Sequence, residues 1–183
     1  MREIEIERTR ASTTSWSVDP GRSRVEFVLT RGGLEAMRGC VPAMTGTLVI
    51  DDEDLSRSSA VLAVETIKAR IERPVHLERN LFAVSSASRP TVRFASRVVQ
   101  PAGDGRFRVY GTLAAGDVLR MITFYVKAGE REYDGMGDER IPLRAVTTLD
   151  LAEERGRGGL PFDEIALLIE TEFVRSGTPV NAA

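Results

Sequence analysis

The chain has one cysteine, Cys40, and one histidine, His76, among 183 residues. A lone cysteine forms no internal disulfide, and without a cysteine pair no zinc-type spacing exists. A metal at His76 would have to recruit carboxylates such as Glu72 and Glu78, whose spacing does not recommend them. No metal and no cofactor are therefore expected. A large charge of one sign is also missing. The net charge is −2, and Arg and Glu are interspersed along the chain, so nucleic acid is not an expected partner. Long apolar runs are absent as well. The longest uncharged stretch, Gly39 to Ile50, is far too short to span a bilayer. The opening MREIEIERTR has no apolar segment of the kind a secretory signal needs. These absences predict a cytoplasmic protein without stable membrane insertion.

Catalytic signatures are equally scarce. There is no Gly-x-Ser-x-Gly elbow, and the glycine-rich stretch at Arg155 lacks the strand–loop–helix setting of a phosphate cradle. The carboxylate groups Asp51 to Asp54, Asp138/Glu139 and Glu153/Glu154 read as solvated turns. General acid–base work needs a carboxyl in a drier place. Glu170 and Glu172 read as outward-facing, and Cys40 as a small apolar side chain at the start of a loop.

What is present is a period of two. Arg24 to Thr30, Met44 to Ile50, Ala60 to Ile67, Thr91 to Val98, Arg106 to Leu113, Val118 to Lys127, Ile141 to Leu151 and Asp163 to Val174 alternate apolar and polar residues. A shorter strand covers Trp16 to Asp19. Turn residues separate these segments at Pro20–Gly21, Gly32–Gly33, Asp51–Ser59, Pro101–Gly105 and Gly116–Asp117. One antiparallel sheet of about eight strands, closed so that no long edge is exposed, is the predicted all-β fold.

The stretch from Arg70 to Phe94 breaks the pattern. Pro74 fits a first helical position. His76, Leu77, Asn80 and Leu81 share one face of a short helix. This reads as a helical plug at one end of the barrel. The organisation predicted is a charged leader over 1–14, a barrel domain over 15–175 and a flexible tail over 176–183.

The stretches WSVDPGRSRVEFVL, GTLVIDDEDLSRSSAVLAVETIKA, HLERNLFAVSSASRPTVRFAS and GTLAAGDVLRMITFYV resemble the YceI-like lipid-binding proteins over about residues 16–174. His76-Leu77, Leu81-Phe82 and Arg89-Pro90-Thr91-Val92-Arg93-Phe94 follow the order of that family's His-Leu, Phe-Phe-Asp and Tyr-Pro-x-Ile-x-Phe elements. The polar positions depart from it. Pro74 and Val75 follow Arg73 where the family often has Arg-Asp, Ala83 follows Phe82, and no Arg-x-x-Phe-Gly motif is found near Leu149 to Gly156. The resemblance implies a lipocalin-like antiparallel barrel that holds a polyisoprenoid or similar long apolar molecule.

The residues expected to line such a cavity are Phe27, Leu29, Met44, Leu62, Phe94, Phe107, Ile122, Phe124, Leu167 and Ile169, with His76, Leu81 and Phe82 from the plug. The same side chains would equally fill an ordinary barrel core. A carrier for an apolar small molecule is the leading expectation, and a small cyclase or isomerase acting in the same cavity is the alternative. A homodimer is left open.

Overall fold

The computed structural model describes residues 13–74, 91–151 and 162–176. Among the described residues twelve strands are formed: β1 (Thr13–Val18), β2 (Arg24–Arg31), β3 (Leu34–Val41), β4 (Met44–Asp51), β5 (Ser59–Glu65), β6 (Arg70–Pro74), β7 (Thr91–Gly103), β8 (Arg106–Ala115), β9 (Val118–Ala128), β10 (Glu132–Tyr133), β11 (Glu139–Asp150) and β12 (Glu164–Arg175). Three pairs are halves of longer staves. β1 and β2 are joined through a 3-10 turn at Pro20–Arg22, where Asp19 accepts from the Gly21 N–H at 3.0 Å. β3 and β4 meet at Pro42–Ala43. β5 and β6 are joined through a 3-10 turn at Thr66–Lys68.

Counted as staves, the sheet is an eight-membered up-and-down barrel. Each stave pairs antiparallel with its neighbours in sequence, and β12 closes the ring against β11 on one side and β1 and β2 on the other. Tight turns make this possible. Gly32 and Gly33 have φ of 60° and 76°, the two positive values that a primed hairpin turn requires. The Gly32–Gly33 and Gly116–Asp117 turns lie at one end of the barrel, the Gly32 end. The opposite, Arg131 end carries the 52–58 turn, the Asp104–Gly105 turn and the 129–138 loop.

Inward positions are apolar because the pleat alternates. Trp16, Val25, Met44, Phe94, Ile122, Phe124, Ile169 and Phe173 are buried in the main cluster. A second cluster at the Gly32 end contains Phe27, Leu29, Met37, Leu151 and Phe162.

Several expectations are corrected. β3 runs through Gly39 and Cys40, so Cys40 is half-buried on a strand and not at a loop start. Arg70–Pro74 is a strand paired with β3, with Pro74 opposite Met37. Pro74 therefore ends a strand and does not begin a helix. This is tolerable because no partner is described on the far side of β6, and a proline without an N–H fits such an edge. The plug built on His76, Leu81 and Phe82 lies outside the described residues, as do residues 1–12, 152–161 and 177–183.

Two carboxylates read as solvated are buried. Asp51 accepts from the Glu53 and Asp54 N–H groups at 3.1 and 3.0 Å. Glu139 pairs with Arg175 at 2.7 Å. Glu170 and Glu172 do face outward, where they meet Arg24 and Arg22.

Candidate functional site

The barrel encloses two apolar lobes. The lobe at the Gly32 end has a volume of about 220 Å³ and is walled by Val25, Phe27, Val41, Met44, Val64, Val92, Leu113, Leu149 and Leu167. The lobe at the Arg131 end has a volume of about 270 Å³ and is walled by Leu48, Ile50, Phe107, Val109, Val126, Ile141, Leu143 and Phe173. Leu62, Phe94, Phe124 and Ile169 border both. These four form a waist. The Phe94 and Phe124 rings meet edge to face, with centroids 5.0 Å apart and planes at 85°, the arrangement that ring quadrupoles favour. Taken together the lobes reach the range of small-molecule sites, roughly 300–1,000 Å³.

The waist and the Gly32-end lobe depend on missing side chains. A Cβ on Gly46 would approach the Leu62 Cδ2 to 2.9 Å, and one on Gly39 would approach the Phe27 Cζ to 2.7 Å. Leu62 and Phe27 are the direct cross-strand partners of those glycines. On β8, Gly111 makes room in the same way for the Phe94 ring, from the diagonal position beside Phe94's direct partner Leu113. Each large side chain leans over a glycine on the next strand, and some of its bulk occupies the wall instead of the lumen.

Of the residues expected to line the cavity, Phe27, Met44 and Leu167 lie in the Gly32-end lobe, Phe107 in the Arg131-end lobe, and Leu62, Phe94, Phe124 and Ile169 at the waist. Leu29 is fully buried in the second cluster, and Ile122 is buried in the main one; neither borders a lobe. Val25, Val92 and Leu113 were not foreseen, although they share the inward parity of Phe27, Phe94 and Phe107, and neither were Ile141 and Leu143 on β11. Val41 was hidden because β3 itself was not recognised.

Polar groups are few and stand near the ends. Thr66 and Arg120 border the Gly32-end lobe, and Arg120 donates to the Asp150 carbonyl. Ser58, Ser59, Thr171 and Arg131 border the other. Arg131 lies over the Trp16 ring at 5.5 Å and pairs with Asp52 at 2.6 Å. A second cation braces the same end from outside. Arg140 binds Asp19 and Asp134, each at 2.7 Å, and reaches Glu172 at 3.4 Å.

The Arg140 hydrogen bond holds the Asp134 carboxyl down to about 2, helped by the N–H groups of Met136 and Asp138. The same guanidinium is the main reason the Asp19 carboxyl lies below its usual range, with the Gly21 N–H adding to it. Among the described residues no group of three or more Cys, His, Asp or Glu side chains converges as a metal site would.

The profile of the YceI-like domain matches residues 16–172. The chain belongs to the YceI-like family. Solved YceI-like and related barrels superpose on it. *Burkholderia cenocepacia* BcnA has a TM-score of 0.67 at 15% identity, over 85% of this chain and 98% of its own. The *Campylobacter jejuni* YCEI protein has a TM-score of 0.62 at 14% identity, over 78% and 87%. A polyisoprenoid binding domain from *Saccharophagus degradans*, implicated in plant cell wall breakdown, has a TM-score of 0.58 at 12% identity, over 89% and 99%. No curated protein gives a significant match. At these identities the likeness is one of fold.

Proposed function

We propose that this YceI-like barrel is a carrier that encloses one apolar chain of isoprenoid type, threaded through the waist from one lobe to the other. The observation that carries the reading is the lumen itself: two apolar lobes that share Leu62, Phe94, Phe124 and Ile169, with polar groups confined to the ends. The ligand of the *Saccharophagus degradans* domain agrees with it. Binding would draw on apolar area leaving water, at roughly 25 cal/mol per Å², less the loss of freedom of the chain.

Among the described lining residues the polar side chains are Thr, Ser and Arg. None is a carboxylate, and acid–base chemistry needs a group that exchanges protons near neutral pH. That favours holding a ligand over converting it. Outward-facing charges such as Arg24, Glu26 and Glu170 suit a wall in water and would be costly on a lipid-embedded one.

The test is solvent extraction of the purified protein with mass spectrometry, followed by titration with geranylgeraniol. One apolar chain recovered per barrel, and saturable binding of geranylgeraniol, are expected. Recovery of a cyclised or oxidised product after incubation with the alcohol would replace the carrier with an enzyme.

A further inference from the structure

The sequence interleaves its charges, but the sheet sorts them. Between Thr91 and Ala128 the only acidic residues are Asp104 and Asp117, and both sit in hairpin turns. The outer face of β7, β8 and β9 is left with cations alone. Arg106 stands directly opposite Lys127 on β9, and Lys127 directly opposite Arg144 on β11. All three are exposed. Like charges in direct cross-strand register destabilise a sheet, so this row works against the fold that carries it. Arg108 lies one outward position along β8.

Among the described residues none of these four cations has an ion-pair partner. The nearest carboxylate in register is Glu170, opposite Arg144, and it is already held by Arg24 at 2.7 Å. The same face carries exposed apolar groups. Tyr125 is opposite Arg108. Farther along β9 toward the Gly32 end come Met121 and Leu119, 65% and 70% exposed. These are apolar positions on a strand whose inward face already fills the core.

We infer that the outer face of β8, β9 and β11 docks the barrel on an anionic lipid bilayer, with the Arg106–Lys127–Arg144 row against the headgroups and Met121 and Leu119 at the acyl boundary. Cations beside exposed aliphatic side chains suit that surface, because headgroup charge and interfacial burial act together. A single-stranded nucleic acid would call for a series of exposed rings to stack on, and this face offers Tyr125. The docking does not depend on what fills the lumen. If the carrier reading holds, it also sets the Gly32-end lobe toward the membrane, since Val118 and Arg120 on the same strand border that lobe.

Sedimentation with vesicles tests it, using phosphatidylcholine alone and phosphatidylcholine mixed with phosphatidylglycerol. The wild type is expected to sediment with the mixed vesicles only and to be released as salt rises. The triple variant Arg106→Gln, Lys127→Gln, Arg144→Gln should lose about a hundredfold in partition, and Lys127→Gln alone about fivefold. Neither should lower the melting point, because each removes repulsion. Leu119→Ser with Met121→Ser should weaken the binding further. Equal sedimentation with neutral vesicles, unchanged partition of the two charge variants, or capture by duplex DNA at a salt concentration that frees the vesicles would each overturn the inference.

Discussion

A Cβ built on Gly111 would lie 2.5 Å from both the Cε2 and the Cζ of Phe94. Phe94 pairs directly with Leu113, so Gly111 is its diagonal neighbour on the lumen face. The ring occupies the space that a side chain at 111 would need, and it is held there by Phe124.

The Ala95 carbonyl crowds the same space, so Gly111→Ala should push β7 away from β8 as well as force the Phe94 ring inward and narrow the waist. Overpacking of this kind costs about 1–3 kcal/mol, which lowers the melting temperature by about 2–12 °C for a chain of this size. Shortening the ring with Phe94→Leu should recover part of the loss. A double-mutant cycle by thermal denaturation reads the coupling, expected at about 0.5 kcal/mol or more. Strict additivity would show that the two positions do not meet.

The two lobes can be filled separately. Val64→Phe occupies the Gly32-end lobe and Val109→Phe the Arg131-end lobe. A chain that threads the waist should bind about tenfold or more weakly to either variant, a loss of about 1.4 kcal/mol. A ligand confined to one lobe should respond to one variant only. Displacement of a fluorescent polyene from folded protein measures both. Indifference to both would remove the lumen as the binding site.

Acid should loosen the Arg131 end. Asp134 and Asp19 titrate below their ordinary value of 3.8 in the folded protein. Their ionised forms then stabilise the fold above that value, and the contribution is lost as pH falls toward about 2, where Asp134 protonates. Carboxylate chemical shifts followed against pH should place the Asp134 midpoint near its folded value. In Arg140→Gln the midpoint should move up toward 3.8, and melting temperature should fall less steeply over the acid range. An unmoved Asp134 midpoint in that variant would show that Arg140 is not what holds it.

The barrel staves were legible because their alternation is a local property. Val25, Phe27 and Leu29 lie two apart and share the inner face wherever the strand ends up. β3 was not legible because Gly33 and Gly39 read as loop residues. Gly39 is there for Phe27, a residue twelve positions away on the facing strand, and only the register reveals that. The break at Pro20 looks in sequence like an ordinary turn, and the one at Thr66 falls within Ala60–Ile67, which reads as one uninterrupted strand, yet the chain bends at both and continues along the same stave.

Charge was misread in both directions for the same reason. Glu139 looks like part of a solvated turn but is drawn under Arg175 and Arg131. Arg106 and Lys127 are separated in sequence and become neighbours only when β8 pairs with β9. Among the expected cavity residues Leu29 has the right parity, but it lies beyond the lumen, in the cluster with Phe162. Parity gives the face of the sheet and says nothing of the depth along it.

The pairing of β12 with β1 and β2 joins positions such as Trp16 and Arg175, while every other stave meets the one made just before it. Hairpins of the second kind form early, since little chain entropy opposes them; the seam must wait. During synthesis the inward faces of Phe27, Met44, Phe94 and Phe124 stay without a lid of their own chain until β12 has left the ribosome. For that interval the growing protein is a curved sheet with two open edges and an apolar hollow, the form most exposed to chaperones and to aggregation.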